Sequence, residues 1–165
     1  MKVLVVYASR LDSTVAIAQV IGNQLNRRDL EVDVRPTTQA LDAGKYDAVV
    51  VGSAVHMRHW DKDAIHYLQD QAPDLADRPT WLFQVGPFGL DAAEHTRTPH
   101  IVTELCFEIG AHAPKTFEGD LHHNQAMTWL SRQAVQSDDV SRDWTDVRGW
   151  ADEVADALKS VAAAV

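Results

Sequence analysis

The chain has 165 residues, is 45% hydrophobic, and carries 24 acidic against 15 basic side chains, a formal net charge of −9. That size suits one domain, residues 1–165, burying a substantial core. The acidity argues against nucleic acid and anionic membrane surfaces as partners, and the single cysteine, Cys106, excludes an internal disulfide and fits a reducing cytoplasm.

Lys2–Tyr7 is short, β-branched and almost wholly apolar, which predicts a strand buried on both faces. Thr14–Arg28 then spaces Val15, Ala18, Ile21, Gly22 and Leu25 as a helical stripe, with Ser13 or Asp12 as its N-cap. Leu30–Pro36 alternates apolar and charged residues, as an edge strand does, and a short helix or turn is expected over Thr37–Ala43. Ala48–Val55 is the next strand, and Asp61–Gln71 returns to helical spacing through Ala64, Ile65, Leu68 and Ala72. Thr80–Val85 predicts a fourth strand, followed by the Gly/Pro loop "GPFGLDAAEHTRTP". Pro99–Gly110 reads as a helix, Thr116–Leu121 as a fifth strand and Trp144–Ala164 as a closing Ala-rich helix. Met1 runs straight into the first strand without a basic leader, so no secretory signal is expected. No apolar stretch approaches the ~18–20 residues that span a bilayer.

Strands regularly separated by helices imply right-handed crossovers and a parallel sheet. The expected fold is α/β, a doubly wound five-stranded sheet in the order 2-1-3-4-5 with helices on both faces. Ligands of such sheets bind at the carboxyl ends of the strands. Three loops meet there: Ser9–Thr14, His56–Trp60 and Gly86–Asp91.

The first of these joins a strand to a helix within "VLVVYASRLDSTVAIAQVIG". First-turn amides have no partner within the helix, its dipole is positive there, and Ser9, Ser13 and Thr14 add hydroxyl donors, which suits a phosphate. Ser13 and Thr14 as plain helix caps is the competing reading. The loop is neither a Walker A sequence nor a G-x-G-x-x-G turn, which disfavours ATP and NAD.

Other chemistries find less support. His56 and His59 are three apart and His122 adjoins His123, but no nearby cysteine or carboxylate completes a metal-ligand set, so no metal is expected. Cys106 sits between Leu105 and Phe107 in a helical pattern, as a buried thiol does. A phosphotyrosine phosphatase on such a sheet needs cysteine where Ser9 stands, and a receiver domain needs an aspartate after the third strand, where the chain reads "GSAVHM". Ser9 or Thr14 as nucleophile lacks an oriented base, so no catalytic side chain is assigned.

"YASRLDSTVAIA" resembles the phosphate loop of flavodoxin-domain proteins, and more closely that of the group containing the menaquinone-dependent protoporphyrinogen oxidases. The likeness extends to "DAVVVGSAVHMRHWDKDAIHYLQ" (Asp47–Gln69), "RPTWLFQVGPFG" (Arg78–Gly89) and "RDWTDVRGWADEVADAL" (Arg142–Leu158). It implies a flavodoxin-like fold that binds FMN. The phosphate would lie on Ser9, Arg10, Leu11, Asp12, Ser13 and Thr14. The ring would lie between His56, Met57, Arg58, His59 and Trp60 on one side and Gly86, Pro87, Phe88 and Gly89 on the other. Aromatic faces and backbone amides suit a flat ring whose potential must be tuned.

The chain departs from the family in three places. Glycine is usual where it has Asp12, and common where it has Arg58. Glycine permits positive φ and close approach to a ligand; Arg58 instead sets a long cation where the ring edge or its substrate would lie. The Asp120–Asp143 segment replaces a basic, membrane-contacting insertion with an amphipathic centre (Met127, Leu130, Ala134) and a run of aspartates.

The expected function is an FMN-binding flavodoxin-like flavoprotein that transfers electrons or hydride to a quinone, porphyrinogen or protein partner, an oxidoreductase if an enzyme. The alternative is a flavin-free interaction protein that keeps the fold and has rebuilt the cofactor rim. Expected partners are a redox protein or small-molecule acceptor, with no nucleic acid and at most weak peripheral membrane contact; a homodimer stays open.

Overall fold

The computed structural model describes residues 1–8, 12–39, 42–87, 97–119 and 142–163. Strand β1 (Lys2–Ala8) leads to helix α1 (Asp12–Arg27) and strand β2 (Glu31–Pro36). Two 3-10 turns, Thr37–Gln39 and Ala43–Lys45, precede β3 (Ala48–His56), the two-residue β4 (His59–Trp60), α2 (Lys62–Asp70) and α3 (Ala72–Ala76). Then come β5 (Thr80–Pro87), α4 (His100–Glu108), β6 (Lys115–Gly119) and α5 (Arg142–Ala163). The long strands are all parallel in the order β2-β1-β3-β5-β6, with β4 antiparallel to β3. Leaving aside β4, this is the expected 2-1-3-4-5 order.

The near-continuous apolar strands are explained by cores on both faces of the sheet. Side chains alternate across a strand, so Leu4, Val6, Val49, Val51 and Leu82 face α2, α3 and α4, where Leu68, Leu75, Val102 and Leu105 cover them. Val3, Val5, Val50, Phe83 and Phe117 face the other way, against Ile21 and Leu25 of α1 and Val147, Val154 and Leu158 of α5. Gly52 in β3 makes room for Phe83: a Cβ there would lie 2.0 Å from the ring. On the outside, Arg28 joins α1 to α5 through Asp152 at 2.7 Å and through Asp156, and Gln24 donates to Asp152 at 2.9 Å.

Two elements differ from the sequence expectation. The helix expected over Asp61–Gln71 stops at Asp70 and restarts at Ala72, because Gln71 leaves helical geometry (φ −101°, ψ 5°) and a proline stands in the first turn of α3. The Gln71 side chain turns aside to accept the Ala43 amide at 2.9 Å. The segment His56–Trp60, expected as loop, is a tight hairpin, with Val55 paired to Trp60 and His56 to His59. Ser13 and Asp12, expected as N-caps, lie inside the first turn of α1. The loop from Phe88 onward and the Asp120–Asp143 segment up to residue 141 lie outside the described residues.

Candidate functional site

Because the long strands are parallel, Ala8, His56, Pro87 and Gly119 end on one rim of the sheet. Helix α1 begins over that rim. Thr14, in its first turn, is 0% exposed, and its Oγ1 has no hydrogen-bond partner among the described residues. Buried hydroxyls in folded proteins are nearly always paired, so this donor stands out. Ser13 is half-buried beside it. Its hydroxyl lies 3.4 Å from where a Cβ at Gly119 would be, and that Cβ would also come within 2.9 Å of the Gly86 carbonyl. The missing side chain of Gly119 therefore lets the first turn of α1 close over the ends of β5 and β6. Ser9, Arg10, Leu11, Phe88 and Gly89 lie outside the described residues, as do the side chains of Asp12 and Pro87.

Across the rim stands the β3–β4 hairpin. Its turn residues, Met57 (φ 47°) and Arg58 (φ 65°), both adopt the left-handed backbone. Such paired geometry matches the twist of the flanking strands and normally recruits Asn-Gly; neither residue is glycine here. His56, Met57, Arg58 and His59 are exposed, Met57 at 76%. The His59 ring donates from Nδ1 to the Met57 carbonyl at 2.7 Å, which leaves Nε2 as the acceptor of the neutral ring.

Trp60 behaves differently from its neighbours. It is 4% exposed, packed in the core beneath the hairpin, and its Nε1 donates to Gln84 Oε1 at 3.0 Å. Gln84, wholly buried in β5, donates onward from Nε2 to Thr116 Oγ1 at 3.0 Å. Ser53 Oγ donates to the Ala54 carbonyl and accepts the Asp61 amide, both at 2.9 Å, which holds the head of α2 against β3. Sequence reasoning named neither Gln84 nor Ser53. The available signal was a polar residue in the middle of each apolar strand, "TWLFQVG" and "VVVGSAV".

The remaining candidates offer little side-chain chemistry. Burial pushes the Cys106 thiol up, which makes its thiolate scarce at neutral pH. Among the described residues no three His, Cys, Asp or Glu side chains gather as metal ligands, and no helix is long and apolar enough to cross a membrane. The two walls of the rim differ: one presents the hydroxyls of Ser13 and Thr14 in the first turn of α1, and the other is the β3–β4 hairpin with its buried Trp60 indole.

The family model of the flavodoxin domain matches residues 4–138. The chain belongs to the flavodoxin domain family. Its fold is similar to that of a flavodoxin from the domain Archaea, at 17% identity and a TM-score of 0.65, covering 96% of this chain and 99% of that one. Flavodoxin 2 from Bacillus cereus gives 22% identity and 0.63, with 96% and 99% covered. Rubredoxin oxygen:oxidoreductase from Desulfovibrio gigas gives 18% and 0.66, covering 96% of this chain but 36% of that one. At these identities the likeness is one of fold. No curated protein matches the sequence. For this flavodoxin domain, the buried hydroxyl and the hairpin occupy two of the three rim loops that the sequence brought together.

Proposed function

We propose that this flavodoxin domain binds FMN at the carboxyl rim of its sheet and serves as a redox protein. The observation that carries the reading is Thr14 Oγ1, fully buried in the first turn of α1 with no acceptor among the described residues. Leaving such a hydroxyl unpaired costs about 1–3 kcal/mol. A phosphate oxygen suits that position, because unpaired first-turn amides and the positive helix end surround the same point. The donor set fits the group: hydroxyls of Ser13 and Thr14 with the amides beside them.

FMN, when bound, supplies the one- and two-electron chemistry. The chain's part is to hold and orient. Ser9 to Thr14 would hold the phosphate, and His56, Met57, Arg58 and His59 together with Gly86 to Gly89 would hold the ring. Trp60 supports the hairpin from below through Gln84. No side chain is required as acid or base. Within the family, the motifs Tyr7–Ala18, Asp47–Gln69, Arg78–Gly89 and Arg142–Leu158 resemble those of the protoporphyrinogen-oxidase group, while the acidic Asp120–Asp143 segment disfavours membrane quinone contact; the exchange partner is a quinone, a porphyrinogen or a redox protein.

Titration with FMN, followed by quenching of flavin fluorescence, tests the reading. Saturable binding in the micromolar range or tighter is expected. A protein that leaves FMN fluorescence unchanged would contradict it and favour a flavin-free interaction protein, a reading supported by Asp12 and Arg58 standing where relatives carry glycine.

A further inference from the structure

Among the described residues the buried polar side chains are Thr14, Ser53, Thr80 and Gln84. Two of them, Ser53 and Gln84, are register neighbours on β3 and β5, and Thr116 continues the same row on β6. By the alternation of the strands this row shares the face of Val51 and Leu82, two residues nearer the rim. Ser53 and Gln84 are 0% exposed, whereas Thr116 is exposed.

The row anchors the end of the hairpin at two consecutive residues. The Trp60 indole donates to Gln84 Oε1 at 3.0 Å, and the Asp61 amide donates to Ser53 Oγ at 2.9 Å. The hairpin's cross-strand pairs are Val55–Trp60 and His56–His59, too few to hold it without such anchors. An indole N–H can only donate, so Gln84 must present Oε1 to it. That orientation turns Nε2 toward Thr116 Oγ1, at 3.0 Å. A buried amide is costly where an apolar side chain would pack freely, but its bonds specify one arrangement of the strands they join.

We infer that Gln84 is a positioning residue for the ring site. It fixes the β3–β4 hairpin against β5, and through it Thr116, two strands away on β6, acts on the hairpin. The seat of the hairpin stands on these bonds alone; its importance to a flavin ring rests on the FMN reading. The consequence is a division of labour. Gln84 governs what the ring contributes to binding, and the first turn of α1 governs what the phosphate contributes.

The test follows the Trp60 indole N–H, assigned among five tryptophans by Trp60→Phe, and the amides of Val55–Asp61, by NMR of the ¹⁵N-labelled full chain. Gln84→Met should shift these signals and speed their hydrogen exchange, while the first-turn amides of α1 stay in place. Thr116→Val, a change at an exposed site, should shift the same signals, and Thr116→Ser should restore them. Titrations with FMN and with riboflavin, which lacks the phosphate, then separate ring from phosphate. Gln84→Met should weaken both by about 3- to 10-fold, the factor that one hydrogen bond carries. It should leave the ratio of the two dissociation constants unchanged, whereas Thr14→Val should alter that ratio. Hairpin signals that ignore either Gln84→Met or Thr116→Val would overturn the proposal. So would flavin constants unchanged in Gln84→Met, or a ratio that this variant alters. Hairpin signals that respond in a protein indifferent to both flavins would sustain the seat and remove the FMN reading. Flavin binding beside an unmoved hairpin would do the reverse.

Discussion

The Trp60 indole donates to the Gln84 side chain across 3.0 Å of protein interior, and Gln84 donates in turn to Thr116 at 3.0 Å. Three strands of one sheet face are thereby tied in a line beneath the rim: β4 through Trp60, β5 through Gln84 and β6 through Thr116. Side chains that support a binding loop need partners of this kind, because a hairpin with only a two-residue return strand has little pairing of its own.

Replacing Gln84 with Met keeps the volume and removes the bonds to Trp60 and Thr116. The indole N–H is then left buried and unpaired, a loss of about 1–3 kcal/mol, with each kcal/mol lowering Tm by about 2–4 °C in a protein of this size. Thermal unfolding of Gln84→Met, Trp60→Phe and the double variant should show coupling of about 0.5 kcal/mol or more. Strictly additive losses would mean that the bond contributes nothing.

The Met57–Arg58 turn carries a strain that one substitution relieves. Left-handed backbone costs a non-glycine residue about 1–2 kcal/mol, while the greater freedom of glycine in the unfolded chain gives back about 0.4–1 kcal/mol. Arg58→Gly should therefore gain about 0.5–1 kcal/mol in urea unfolding, and Arg58→Ala should gain nothing. Equal stability of the two variants would show that the turn is unstrained.

Stability should titrate at both ends of the pH scale through one pair. Tyr46 Oη donates to Asp33 at 2.7 Å, with Lys2 Nζ 3.5 Å from the same carboxylate. The tyrosine hydrogen bond, joined by Lys2, holds the Asp33 carboxyl below its ordinary 3.8, so its contribution is present above that value and is lost as pH falls through the lowered one. Burial, then the bond to Asp33, pushes Tyr46 from 10.0 up to about 12; that contribution is present below 10.0 and is lost as pH rises through about 12. The stability difference between the wild type and Tyr46→Phe should be flat at neutral pH and shrink at both ends. A difference independent of pH would contradict the assignment.

Most of the fold was legible because its signals are local. Strands buried on both faces announce themselves as unbroken apolar runs, and "VLVVYA" and "AVVVGSAV" have few other readings. The edge strand Glu31–Pro36 showed itself by alternation and a terminal proline. What stayed hidden depends on tertiary partners. Gln71 breaks a helix whose apolar spacing runs straight through it; Pro73 was a local sign of the break, but the bond from the Ala43 amide to the Gln71 side chain was not. Trp60 reads as a rim aromatic until Gln84, 24 residues away, is placed beneath it. The left-handed turn at Met57–Arg58 had no glycine or asparagine to mark it. At the site, the hydroxyls of the first loop were readable as donors, but that one of them is buried and unpaired is a fact of packing, which sequence spacing does not carry.

The central claim is that the orphaned Thr14 hydroxyl belongs to a phosphate, and a paired measurement on Thr14→Val tests it most directly. Valine matches threonine in shape and removes only the donor. The ligand-free variant should be more stable than the wild type by up to about 1–3 kcal/mol, since an unpaired buried group is gone. Its FMN dissociation constant should rise roughly 10- to 100-fold, the loss of a hydrogen bond to a charged acceptor of about 1.5–3 kcal/mol. Opposite signs in the two measurements would establish the site. A variant that binds FMN as tightly as the wild type would contradict the account.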